Sequence, residues 1–459
     1  MSKATNIRIT KSISAISISM AASAIVLSLS FFFGNSYSTA RVILAMSLAP
    51  CVYGLYSSIN KPDVKWFEIF SNLYLVSILI IPGIFQSANG FFPFYRMSYD
   101  ETSVTAAAAI TLMFCTTFNA GCALAWALPK QQRANPKATT LSPGSALLLI
   151  FGLCLLSLAI ASVIGIDKFV NFRREGFGIA LDPTKQAEIQ LSRSLSFCAL
   201  ILSFHLFGKI KSPPSSISLL ISIVVFSFVN FPPALARFVL FGYIISIFIL
   251  FYPLSAYFKK IFSIVFYPIG VLTLFPYIDH LTRGNVRKDF SFSPGNYIIY
   301  SGDLDSFQSV INIYNWISRD GIQLGKQLLS SALFFIPREM WEGKSYPTGS
   351  IAALKNGYSY SNISAPMPGE IFSDFGWLGL IFAGAATGLI VGAVDRTANF
   401  NQGRFHTMAL CATLAGFAAI LFRGSLMSIL GPVALTVLSC HLLSLAETRL
   451  RERPPQVST

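Results

Sequence analysis

Pro143-Gly-Ser-Ala-Leu-Leu-Leu-Ile-Phe-Gly-Leu-Cys-Leu-Leu-Ser-Leu-Ala-Ile-Ala-Ser-Val-Ile-Gly-Ile166 runs for 24 residues without one charged side chain. The hydrocarbon core of a bilayer, about 30 Å thick, takes about 20 apolar residues of helix. The stretch therefore reads as a membrane span. Further apolar runs lie near 13–33, 41–59, 66–85, 104–128, 193–208, 217–232, 234–252, 261–278, 372–394, 405–421 and 424–445. The expectation is an all-α, polytopic bundle of about twelve spans. Nine fall in 1–278, a long loop occupies 279–371, and three spans with a tail make up 372–459.

Composition agrees. The chain has 459 residues, 53% of them hydrophobic and only 12% charged, whereas an ordinary soluble domain is about 25% charged. The net charge of +14 raises the question of nucleic acid. Most positives punctuate the apolar runs instead of forming a stripe with stacking aromatics, which suits an anionic lipid surface. Cys51, Cys115, Cys122, Cys154, Cys198, Cys411 and Cys440 all lie in apolar segments and make no metal or redox spacing. Neither a metal nor another cofactor is expected. Lys3, Arg8 and Lys11 precede the first run as in a signal peptide, but that run is too long for one and reads as an uncleaved span.

Orientation follows from the short loops. With the N-terminus inside, every inside segment carries two or three positives: Lys3/Arg8/Lys11, Lys61/Lys65, Lys130/Arg133/Lys137, Lys209/Lys211, Lys259/Lys260, Arg396/Arg404 and Arg449/Arg451/Arg453. Short outside turns carry one at most: Arg41, Arg96, Arg237 and Arg423. Both termini are therefore expected in the cytoplasm, with two long outside loops over 167–192 and 279–371. The larger loop balances eight Lys/Arg with eight Asp/Glu. In it, Leu304, Phe307, Ile311 and Tyr314 recur at helical spacing behind Asp303 and Asp305, which suggests a capped amphipathic helix on the outer interface. Residues 327–336 form an apolar run too short to cross, read as a re-entrant dip ending at Pro337-Arg338-Glu339.

Ionisable groups near membrane depth are functional candidates. Arg237 follows Phe231-Pro-Pro233 at a hairpin tip, where it either lines a site or snorkels to headgroups. Arg173 and Arg174 sit beside glycines in the smaller loop, while Arg283 and Arg287 follow a span. Arg338 follows the dip. Arg423, in Phe-Arg-Gly-Ser, reads as a structural turn residue. Several guanidiniums at one face suit an anionic ligand, because their forks match phosphate oxygens and stay charged. For acid–base work the same face offers His280 and, among its carboxylates, Glu339 and Glu370. The sequence holds no phosphate-binding loop, serine-hydrolase elbow or zinc-protease motif.

Phe334-Phe-Ile-Pro-Arg338-Glu-Met-Trp-Glu-Gly-Lys344-Ser-Tyr-Pro347, followed by Pro368-Gly-Glu370-Ile-Phe-Ser-Asp-Phe-Gly376-Trp-Leu-Gly379, resembles the Wzy-type O-antigen and capsule repeat-unit polymerases. The likeness extends to the layout of about twelve spans with one moderate and one large periplasmic loop. It implies a metal- and nucleotide-independent glycosyltransferase of the bacterial inner membrane, acting on undecaprenyl-pyrophosphate-linked glycans at the periplasmic face. A chain-length regulator and a flippase are the partners it implies. Arg338…Gly349 fits an Arg-to-Gly spacing of such loops, whereas Arg173 and Arg174 do not. On this reading Arg173, Arg174, Arg237, Arg283, Arg287, Arg338 and Lys344 face the substrate together with Glu370. Glu339 or His280 serves as base, and Trp341, Tyr346 and Tyr358 offer faces to sugars. An O-antigen ligase is the nearest alternative and a polysaccharide flippase the next. A transporter is expected to show internal repeats and midplane charges, which the sequence lacks.

Overall fold

The computed structural model describes residues 3–61, 63–94, 99–129, 142–170, 183–282, 293–400 and 405–449, and every regular element among them is helical. α1 (Lys3–Ser30), α2 (Ser38–Ile59), α3 (Trp66–Tyr74) and α4 (Ile81–Asn89) come first, the last two joined by a π-helical turn over Leu75–Ile80. α5 (Glu101–Ala127), α6 (Pro143–Ile164), α7 (Asp167–Val170), α8 (Pro183–Lys209), α9 (Pro213–Val229), α10 (Arg237–Phe251) and α11 (Ala256–Thr282) follow. The region expected as a long loop holds α12 (Pro294–Tyr300), α13 (Ser306–Asp320), α14 (Lys326–Ala332) and α15 (Thr348–Lys355). α16 (Met367–Phe400), α17 (Phe405–Gly416), α18 (Ala418–Arg423) and α19 (Leu426–Arg449) complete the chain.

Eight helices among the described residues are long and apolar enough to cross a membrane. The remaining four expected runs coincide with shorter apolar helices, Ser17–Phe33, Arg237–Phe251, Phe405–Gly416 and Leu426–Ser439. The continuous α3–α4 rod sits at the centre, with 89% of its apolar window buried, against 22% for the peripheral α6. Helix starts follow local chemistry. Asp100 accepts the Ser103 N–H at 2.9 Å at the head of α5, and Ser142 with Pro143 opens α6.

The most extensive helix pair is α5 with α16, and small residues make it possible. Gly384, Gly388 and Gly392 fall one turn apart on α16, facing Thr117, Gly121 and Ala125 on α5. A Cβ at Gly388 would collide with the Phe118 carbonyl, and one at Gly121 with the Ala385 carbonyl. In lipid, helices gain no hydrophobic advantage by associating, so close backbone approach supplies the contact energy.

Hydrogen bonds fix which helix ends meet. At one end Lys260 Nζ donates to the carbonyls of Ser58, Lys61 and Asp63, each at 2.8 Å, and Asp395 accepts the Phe67 and Glu68 N–H groups. At the other end the Tyr37 hydroxyl donates to the Tyr99 carbonyl, and the Tyr99 hydroxyl to Asn312. Residues 293–366 cap this second end. α13 does not lie on an outer interface as its periodicity suggests. Phe307, Val310, Ile311 and Ile313 are fully enclosed, and Gln308 and Asn312 donate to the Tyr358 hydroxyl. The helix has buried partners for its polar face too, so it belongs to the core.

Candidate functional site

α10, α12 and the α18–α19 turn bring two guanidiniums onto one short segment, Gly302-Asp-Leu-Asp305. Arg237, the first residue of α10, sets Nη1 2.6 Å from Asp303 Oδ2. Arg423, the last residue of α18, sets Nη2 2.8 Å from Asp305 Oδ1 and also donates to the carbonyls of Gly302 and Asp303. The Phe238 ring lies under the Arg423 guanidinium at 4.8 Å, tying α10 to α18. Tyr297, from α12, donates its hydroxyl to Asp303 Oδ2 at 2.6 Å.

Arg237, Phe238, Asp303 and Arg423 border a cavity of about 570 Å³ at the capped end of the bundle. Arg237, Arg423 and Asp303 supply its charge, and Ser301, Ser350, Ser361, Asn362, Ser364, Ser425 and Ser428 supply hydroxyl and amide groups. Phe94 and Phe238 give it two aromatic walls. A site with two fixed cations, a carboxylate between them and a hydroxyl-rich wall can hold an anionic head and orient a polyhydroxylated one.

Burial by itself would lower the Arg423 pKa, yet the Asp305 and Asp303 carboxylates outweigh it and raise it above the usual value. Burial, assisted by the Asp303 carboxylate, pushes the Tyr297 phenol well above its ordinary range, so Tyr297 is a neutral donor here.

Of the residues picked out in the sequence, Arg237 takes its place in the cavity. Arg338 and Lys344 do not line it. Arg338 donates to the Lys344 and Ser345 carbonyls at 2.7 and 2.6 Å and lies over the exposed Tyr346 ring at 4.0 Å. Lys344 is buried and donates to the Phe334 and Ile336 carbonyls. Both cations thus hold the 333–346 turns together. Glu339 is exposed, and the Arg338 guanidinium is occupied by carbonyls instead of pairing with it. Glu370 is buried and accepts from the Thr348 hydroxyl and the Leu426 N–H, so it joins α15 to the head of α19. Trp341 is half-buried outside the cavity. Tyr358 is core, its hydroxyl shared by Gln308 and Asn312. Arg173, Arg174, Arg283 and Arg287 fall outside the described residues, as does the His280 side chain.

Two features escaped the sequence reading. Arg423, which the sequence presents as a turn residue, is the second cavity cation, its side chain about as buried as that of Arg237. Asp303 and Asp305 stand where helix caps are expected, but Asp305 makes no side-chain cap bond to α13 and binds Arg423 and the Ser364 N–H instead. The available signal was the pair of aspartates two apart in a loop facing the same membrane edge as two single arginines. The chain matches no protein-family model, no curated protein and no solved structure.

Proposed function

We propose that this protein is a bacterial inner-membrane glycosyltransferase that polymerises undecaprenyl-pyrophosphate-linked oligosaccharide repeat units, for O-antigen or capsule, at the periplasmic face. The observation that carries the reading is the shared cavity of Arg237 and Arg423 with its hydroxyl-rich wall. The motif resemblance around Arg338 and the charge alternation of the loops support it further.

In this reading the pyrophosphate of the donor glycolipid binds Arg237 and Arg423. The hydroxyl of the acceptor repeat unit attacks the anomeric carbon, and the carbon–oxygen bond to pyrophosphate breaks. Undecaprenyl pyrophosphate departs with the bonding pair, stabilised by the guanidiniums. Asp303, the one carboxylate among the described lining residues, takes the acceptor proton. Phosphate oxygens compete with Asp303 for Arg237, so donor binding itself frees the carboxylate for that task. Glu339, exposed and outside the lining, is not assigned the step.

The test incubates purified protein in liposomes with a lipid-linked repeat unit. A ladder of longer lipid-linked glycans, lost in Arg237→Gln and Asp303→Asn, is the expected result. Transfer of preformed polymer to lipid A core would make the protein a ligase. Glycolipid crossing the bilayer without new glycosidic bonds would make it a transporter and end the enzyme reading.

A further inference from the structure

α14 is built inside out. Gln327, Ser330 and Ser331 are its buried residues, between 0% and 1% exposed. Gln327 Nε2 donates to Ser345 Oγ at 2.6 Å, and Ser330 Oγ accepts the Ser345 N–H at 3.0 Å. Leu328 and Leu329 point outward, 46% and 53% exposed, with Leu324 before the helix at 81% and Phe335 after it at 66%. Burying polar groups that are hydrogen-bonded while presenting leucines outward is unfavourable in water and favourable against hydrocarbon.

The exposed leucines adjoin the start of α16. Asp374 accepts the Gln327 and Leu328 N–H groups at 3.0 and 2.7 Å, and the Ser373 carbonyl accepts the Gln323 N–H at 2.8 Å. Gly376 then turns the helix with φ 60°, a value that favours glycine. Beside that turn Phe375 and Leu378 are exposed on the helix that carries one of the membrane-length apolar windows. The outward surface of α14 is therefore continuous with the outward surface of a span.

We infer that α14 and its flanking residues form an interfacial wedge whose leucines sit in bilayer hydrocarbon beside α16. The partner is the acyl region of the membrane, not a second protein. Lys326, exposed at the head of α14, reaches the headgroups while its stem follows the apolar surface. The wedge also anchors the cavity wall. Gln327 Oε1 accepts from the Thr348 hydroxyl, and Thr348 N–H donates to Ser425, which lines the cavity beside Pro347. The inference rests on the burial pattern and stands apart from the glycosyltransferase reading.

The test places photoreactive benzoylphenylalanine at Leu324, Leu329 or, as control, Lys355, each exposed. The full chain is reconstituted in phosphatidylethanolamine–phosphatidylglycerol vesicles, irradiated and weighed by mass spectrometry. Phospholipid adducts at 324 and 329, lost at 355, are expected. A product of twice the chain mass at 324 and 329, or no lipid adduct there, overturns the inference.

Discussion

Replacing Arg423 by methionine should destabilise the protein far more than loss of a surface charge. Asp305, its partner at 2.8 Å, is 1% exposed, and without Arg423 its carboxylate keeps the Ser364 N–H as a neutral donor. Removing one member of a buried pair costs about 3–5 kcal/mol, because the other charge stays buried without compensation. The same substitution also strands the Gly302 and Asp303 carbonyls, which lose their donors. Replacing both members, Arg423→Met with Asp305→Leu, removes the orphaned charge and should recover much of that loss. The assay is SDS-titrated unfolding in mixed micelles, followed by tryptophan fluorescence, over the complete double-mutant cycle. A cost for Arg423→Met below about 1 kcal/mol, the range of exposed pairs, would refute the buried-pair argument. So would a double variant as unstable as the sum of the two singles.

Gly388→Leu should force α5 and α16 apart and sharply reduce folded protein recovered in detergent, since the added Cβ meets the Phe118 carbonyl; Gly152→Leu, with open space around it, should leave recovery unchanged. Tyr297 has a folded pKa raised above the unfolded value, so its contribution to stability is complete below about pH 10 and is lost as pH rises toward the folded value. Wild type should therefore lose stability above about pH 10 more steeply than Tyr297→Phe, measured by the same titration. Because Arg423 is also raised, affinity for an anionic headgroup should stay flat from about pH 7 to about pH 9, and a fall within that window would contradict the assigned charges. Lys344→Met should cost about 1–3 kcal/mol by leaving two carbonyls without their donor. If it instead abolishes polymerisation with stability intact, Lys344 touches substrate.

What the sequence determined by itself is local and one-dimensional. An uncharged run such as 143–166 is recognisable as a membrane-length helix wherever it packs, because hydrocarbon thickness sets the required length. The capping chemistry of Asp100 and Ser142 was equally local. The Gly384, Gly388 and Gly392 spacing is written in the sequence too, but its meaning depends on Gly121 lying opposite, and nothing local names that partner. Only the tertiary structure assembled the candidate site. Arg423 and Asp305 stand 118 residues apart in sequence, and single arginines at four turns look alike until their partners are known. It keeps Arg338 and Lys344 outside that cavity, each bonded to backbone carbonyls. It also turned the helix at 306–320 from a surface element into core, since a hydrophobic face states that burial occurs but not whether the polar face is buried as well. The physical reason is the same in each case: apolar length acts along the chain, whereas a charge or polar group is assigned its role by whatever the fold brings within about 3 Å of it.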